Sequence, residues 1–215
     1  MSRRSSSRRR GYSLVELLSI VVVLGLVLTL VAAIIGPLLR SQHQTQAKVD
    51  TVQAAAMALY RVERDLRNTE LTSIYACTTT GTPTCTQPTA LTATSAIVVA
   101  SAYQQGTGAF QFNATDGKPD WQGATVYWVD SSGNLKVAFD ATVGTPGTPV
   151  NATQAGQAVT DELAKGLTIA RFVQQISLGI PLTQNVANFQ MQAQSTVSGA
   201  PNETTFQTDV EPRND

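Results

Sequence analysis

Along this chain the rhythm of hydrophobic and polar positions changes twice. From Leu17 to Leu39 there are 23 residues without a charge, LLSIVVVLGLVLTLVAAIIGPLL. At 1.5 Å per residue, a helix of that length can cross a bilayer core of about 30 Å. Past Arg40 the apolar positions thin to a stripe: Val52, Ala55, Leu59, Val62 and Leu66 recur at spacings of 3, 4, 3 and 4, which is one face of an amphipathic helix. Ala54 to Ala58, with Met57, keep that helix slim, and Arg61, Glu63, Arg64, Asp65 and Arg67 are assigned largely to its other faces. A stripe of only about two heptads predicts packing against a sheet, not a coiled coil. Beyond residue 72 the rhythm is that of strands. Ala96 to Tyr103, Thr125 to Val129, Leu135 to Phe139, Leu167 to Val173, Phe189 to Ala193 and Thr204 to Val210 are expected to pair, with a tight turn at Asp130 to Asn134 and loops at Gly144 to Pro149 and Ser198 to Asn202.

Charge gives the apolar helix a direction. Arg3, Arg4, Arg8, Arg9 and Arg10 precede it, and only Arg40 and Lys48 follow closely. The positive-inside bias therefore leaves the N-terminus in the cytoplasm and exports Gln42 onward. Without those five arginines, ten basic residues face fifteen acidic ones, a formal charge of −5, which disfavours nucleic acid as a partner of the exported part. Charged residues are 14% of the chain, low beside the one quarter or so usual in soluble domains, and the uncharged run explains part of the deficit. An ordinary secretory signal, with Val31-Ala32-Ala33 as its cleavage site, is a poor account because the run is too long. A twin-arginine signal at Arg9-Arg10 or a plain anchor fits the run but leaves Glu16 unexplained. That acid stands five residues into the apolar stretch that begins at Tyr12, and a carboxylate at the centre of a spanning helix costs about 2.5 to 3.5 kcal/mol on insertion scales.

The string Arg10-Gly11-Tyr12-Ser13-Leu14-Val15-Glu16-Leu17-Leu18 resembles the class III signal of bacterial type IV prepilins, pseudopilins and competence pilins. The resemblance implies a basic leader, residues 1–11, cut after Gly11 by a prepilin peptidase that also N-methylates Tyr12, where the family usually has Phe. It implies that Glu16 serves assembly. The freed amine of Tyr12 is cationic near neutral pH, and an axially offset neighbour can bring it to Glu16, so that two charges cancel. Gly25 and Gly36-Pro37 allow a bend or local unwinding of the helix. Arg61 to Arg67 looks like the helix end of J-type minor pseudopilins and W-type minor pilins, while Glu16 argues against the K-type tip pseudopilin. The expected fold is α+β and pilin-like: a transmembrane helical half over 12–40, an amphipathic half over 41–72, and a β-rich globular domain over 73–215 on an antiparallel sheet. The implied partners are other pilin or pseudopilin subunits, the prepilin peptidase, the inner-membrane assembly platform and the membrane itself. The implied location is the bacterial inner membrane, with a single pass and the C-terminal domain outside, then a periplasmic or extracellular filament.

Candidate chemistry adds little. Cys77 and Cys85 bracket Cys-Thr-Thr-Thr-Gly-Thr-Pro-Thr-Cys, and outside the cytoplasm such a pair in a turn-rich loop is expected to be a disulfide, although family members commonly carry theirs nearer the C-terminus. His43 is the one histidine and reads as a solvated helix residue. With no second imidazole, no phosphate loop and no nucleophile elbow, catalysis has no centre. Asp116, Asp120 and Asp130 carry oxygens suited to calcium, which some members of the family bind, but Asp116-Gly117-Lys118-Pro119 reads better as a plain turn, so no cofactor or metal is expected. Asn113, Asn151 and Asn202 begin Asn-x-Thr sequons, attributable to the abundance of threonine. The competing function class is a single-pass anchored exported adhesin or hydrolase.

Overall fold

The computed structural model describes residues 13–104, 107–115, 117–144, 148–181, 185–197 and 200–212, of which 195–197 and 200–202 are described by backbone alone. Helix α1 (Leu14–Arg67) runs through both the apolar run and the amphipathic stripe. The chain divides into two units, Met1–Gln46 and Ala47–Asp215, and α1 contributes to both. In the first unit every apolar side chain from Leu14 to Leu39 is exposed. The helix passes Gly25, Gly36 and Pro37 without a break, so the unwinding allowed there is not seen.

In the second unit Ala55, Ala58, Val62 and Leu66 are buried and Val52 and Leu59 half-buried, the stripe that the 3–4 spacing predicts. Asp65 departs from expectation: it is buried on that same face. The β-rich part forms two antiparallel sheets where one was expected. One has six strands in the order β2 (Cys85–Thr86), β1 (Ile74–Cys77), β4 (Ala96–Ser101), β5 (Gly123–Val129), β6 (Asn134–Asp140), β7 (Leu167–Arg171). The other has four, in the order β10 (Ala200–Val210), β9 (Ala187–Val197), β8 (Val173–Gly179), β3 (Thr92–Thr94). The single strand read at Leu167 to Val173 is thus two strands of different sheets, separated by Phe172, whose φ of 62° turns the chain from one sheet into the other. Of the loop read at Ser198 to Asn202, Ala200 to Asn202 belong to β10, where Ala200 pairs with Val197, and residues 198–199 lie outside the described residues.

Strand β4 explains the layering. Its side chains alternate between faces, yet Ala96, Ile97, Val98, Val99, Ala100 and Ser101 are all buried, so both faces must be covered. Ile97 and Val99 join Val62 and Leu66 of α1 and Ile176, Phe189 and Met191 of the four-stranded sheet in one core. Ala96, Val98 and Ala100 join Val126 and Trp128 in a second core. That second core is covered by a helix absent from the sequence reading, α2 (Ala152–Glu162), through Ala155, Ala158 and Val159. Each fully buried Val, Ile, Leu or Phe in such a core contributes about 1.5 to 3 kcal/mol relative to exposure. The turn at Asp130 to Asn134 is as expected. Gly133 supplies a left-handed residue, φ 73°, that lets its N–H reach the Asp130 carbonyl at 3.0 Å.

Candidate functional site

Two carboxylates on α1 carry the interest of the molecule. Glu16 stands in the first turn at the head of the exposed apolar run. Its Oε2 accepts the Ser13 backbone N–H at 3.1 Å, while the Ser13 hydroxyl accepts the Glu16 N–H at 3.4 Å. Ser13-x-x-Glu16 is therefore a capping box, each side chain satisfying a backbone donor that the helix start leaves open. The Ser-x-x-Glu spacing of that box is legible in the sequence. Gly11 and Tyr12, the expected cleavage and methylation positions, lie outside the described residues.

Asp65 is the reverse case, buried and fully engaged within the chain. Its Oδ2 accepts the Tyr127 hydroxyl at 2.5 Å. Its Oδ1 accepts Arg64 Nε and Nη2 at 3.0 and 2.8 Å. Burial pushes the Tyr127 phenol well above its ordinary pKa, and the neighbouring Asp65 charge adds to the rise. For Arg64, burial works toward a lower pKa, but the Asp65 hydrogen bond and charge outweigh it and leave the guanidinium raised. The Arg64 guanidinium also sits 5.6 Å from the Tyr103 ring centroid, and Asn68 Nδ2 donates to the Tyr103 hydroxyl at 3.0 Å. The helix end from Arg64 to Asn68 is thus tied by polar contacts to β5 and to Tyr103, just beyond β4.

Cys77 and Cys85 are bridged and face each other in the β1–β2 register, as expected. Gly156 of α2 lies over this hairpin; a Cβ there would stand 3.1 Å from the Pro83 carbonyl oxygen. Helix α2 itself opens with a second capping box, Asn151 Oδ1 accepting Gln154 N–H and Gln154 Oε1 accepting Asn151 N–H, both at 3.0 Å. Asn151, read as part of a sequon, is therefore a helix cap.

The remaining candidates stay apart. Asp130 accepts the N–H groups of Ser132 and Asn134, each at 2.9 Å. The Asn134 N–H first, against a smaller effect of burial, and then the Asn134 side chain, Ser132 and Lys136 hold its carboxyl below the ordinary range. Asp120 accepts Gln122 Nε2 at 3.2 Å, and Asp116 lies outside the described residues. Among the described residues no three His, Cys, Asp or Glu side chains are grouped to hold a metal ion. His43 is exposed.

Compared with protein-family models, with curated proteins and with solved structures, the chain has no significant match. Its own residues define the class: an α+β chain with one N-terminal helix long and apolar enough to cross a membrane, and a C-terminal unit of two antiparallel sheets carrying one disulfide.

Proposed function

We propose that this chain is a subunit, of the minor kind, of a type IV pilus or type II secretion pseudopilus, held first in the inner membrane and then assembled through α1. The observation that carries the reading is the arrangement at the start of α1: one carboxylate, Glu16, followed by 23 uncharged residues whose apolar side chains are all exposed. A surface of that size needs lipid or other apolar helices around it. A mere anchor gains nothing from the acid, whereas a helix that leaves lipid to pack beside identical helices gains a fixed axial position from a paired charge. The exported unit, with its disulfide, suits an oxidising compartment. No catalytic role is assigned.

One observation favours the alternative of a plain anchored exoprotein. Glu16 already meets Ser13 in the capping box, so its presence has a local explanation. Processing separates the two readings. Mass spectrometry of membrane-extracted protein is expected to show a chain that begins at Tyr12 with a methylated amine. An intact Met1 or Ser2 terminus, or a start near Ile34, contradicts the filament reading and leaves the anchored exoprotein.

A further inference from the structure

Beside the α1–β5 tie lies a pocket of about 340 Å³, whose lining includes Arg61, Arg64 and Asp65 of α1 together with Tyr103, Gln104 and Phe139. It lies wholly within the second unit. Its charge balance is uneven. Asp65, the acid within reach, is committed through both oxygens, one to Tyr127 and one to Arg64. Arg61 makes no ion pair among the described residues, and its Nε is buried without a hydrogen-bond acceptor. A buried donor of a cationic group left unpaired is unfavourable to the fold. Retaining one beside an open pocket is what a site for an external acceptor requires, since stability is commonly given up where a group must stay free to bind.

The other walls narrow the occupant. The positive charge not already compensated is that of Arg61, which suits a monoanion; Arg64 is neutralised by Asp65. A planar guanidinium matches a carboxylate through two parallel hydrogen bonds. Ser101, Thr125 and Gln104 also line the pocket, and the Gln104 Oε1 accepts Thr107 and Gln111 at 3.2 and 3.4 Å. These neutral groups both give and accept hydrogen bonds, as a polyhydroxylated ligand demands. Aromatic and apolar side chains complete the lining: Tyr103, and the half-buried Phe139 with Val137 and Leu167. A ring in a pocket wall can present an apolar face to the C–H side of a ring-shaped ligand.

We infer that the pocket binds a sugar bearing one carboxylate, a uronate unit of an acidic polysaccharide, with Arg61 holding the carboxylate and Phe139 against the sugar ring. The inference concerns the second unit and stands whether or not the chain enters a filament.

The test is calorimetric titration of the full chain in detergent with tri-galacturonate, beside neutral galactose trisaccharide and a short peptide whose one charge is its terminal carboxylate. Tri-galacturonate is expected to bind at least tenfold more tightly than the other two. Arg61→Gln is expected to weaken it at least tenfold while the melting temperature stays level or rises, because the lost cation had no partner. Phe139→Leu is expected to weaken it several-fold. Equal binding of the neutral trisaccharide, or unchanged binding by Arg61→Gln, overturns the site. So does a fall in the melting temperature of Arg61→Gln, which would assign the cation to the fold. Binding of the peptide alone overturns the ligand class and makes the occupant a protein terminus.

Discussion

Glu16 and Asp65 are two acids on one helix, and their surroundings are opposite. Asp65 is buried and receives three hydrogen bonds from Tyr127 and Arg64, so the reason for its presence lies within the chain. Glu16 has the Ser13 capping contact and otherwise an exposed apolar helix, so the reason for 23 uncharged residues after it must come from outside the chain. The difference teaches how to divide α1. Substitutions near its C-terminal end should register as stability. Substitutions near its N-terminal end should register as location and assembly.

The largest stability loss is expected at Asp65. Asp65→Ala strands the buried Tyr127 hydroxyl and frees Arg64, half-exposed and able to regain water, so denaturant unfolding should show a loss of about 3 kcal/mol. A loss near zero would erase the contrast with Glu16. Next comes the bridge: Cys77→Ser with Cys85→Ser reopens a short loop and should lower stability by about 2 to 3 kcal/mol. Native and denatured thiol labelling without reductant should find neither cysteine in the wild type.

Tyr127→Phe deletes one partner and leaves Asp65 with Arg64, a loss of about 1 kcal/mol near neutral pH. The same residue sets an alkaline limit. Its folded pKa lies above its unfolded value near 10, so its contribution is whole below pH 10 and falls as pH rises beyond it, when the unfolded chain releases the proton and the folded one does not. Unfolding followed between pH 9 and 11 should fall less steeply for Tyr127→Phe than for the wild type. An effect of similar size has the opposite sign. Phe172 is held at φ 62° while 53% exposed, so Phe172→Gly should raise stability by about 1 kcal/mol.

Legibility followed the range of the interactions. The apolar run, the stripe from Val52 to Leu66 and the Asp130–Asn134 turn depend on neighbours along the chain and were readable from spacing. The doubled sheet was not, because whether Leu167 to Val173 is one strand or two depends on Phe172 turning the chain between partners more than twenty residues away in either direction, β6 at Leu135 and β9 at Ala193. Helix α2 was legible in principle. Asn151 with Gln154 is a cap signal, Ala155, Ala158, Val159 and Glu162 follow at helical spacing, and the unbroken apolar run of β4 required a second covering layer. Abundant Ala, Thr and Gln blurred that stripe. At the sites, the cysteine bridge is legible from the short spacing of Cys77 and Cys85, and so is the Ser13–Glu16 box. The charge of Asp65 points to solvent, but its position three residues past Val62 puts it on the buried stripe.

Glu16 can act by its charge toward a neighbour or by its cap toward its own helix. Glu16→Gln separates these, since glutamine keeps the capping box with Ser13 and removes the charge. The deciding measurement is the amount of the chain in filaments sheared from cells that express Glu16→Gln, relative to the amount held in the membrane. The proposal predicts normal membrane levels and processing with filament content reduced at least tenfold. Wild-type recovery of the Glu16→Gln chain in filaments would contradict it and leave Glu16 as a helix cap.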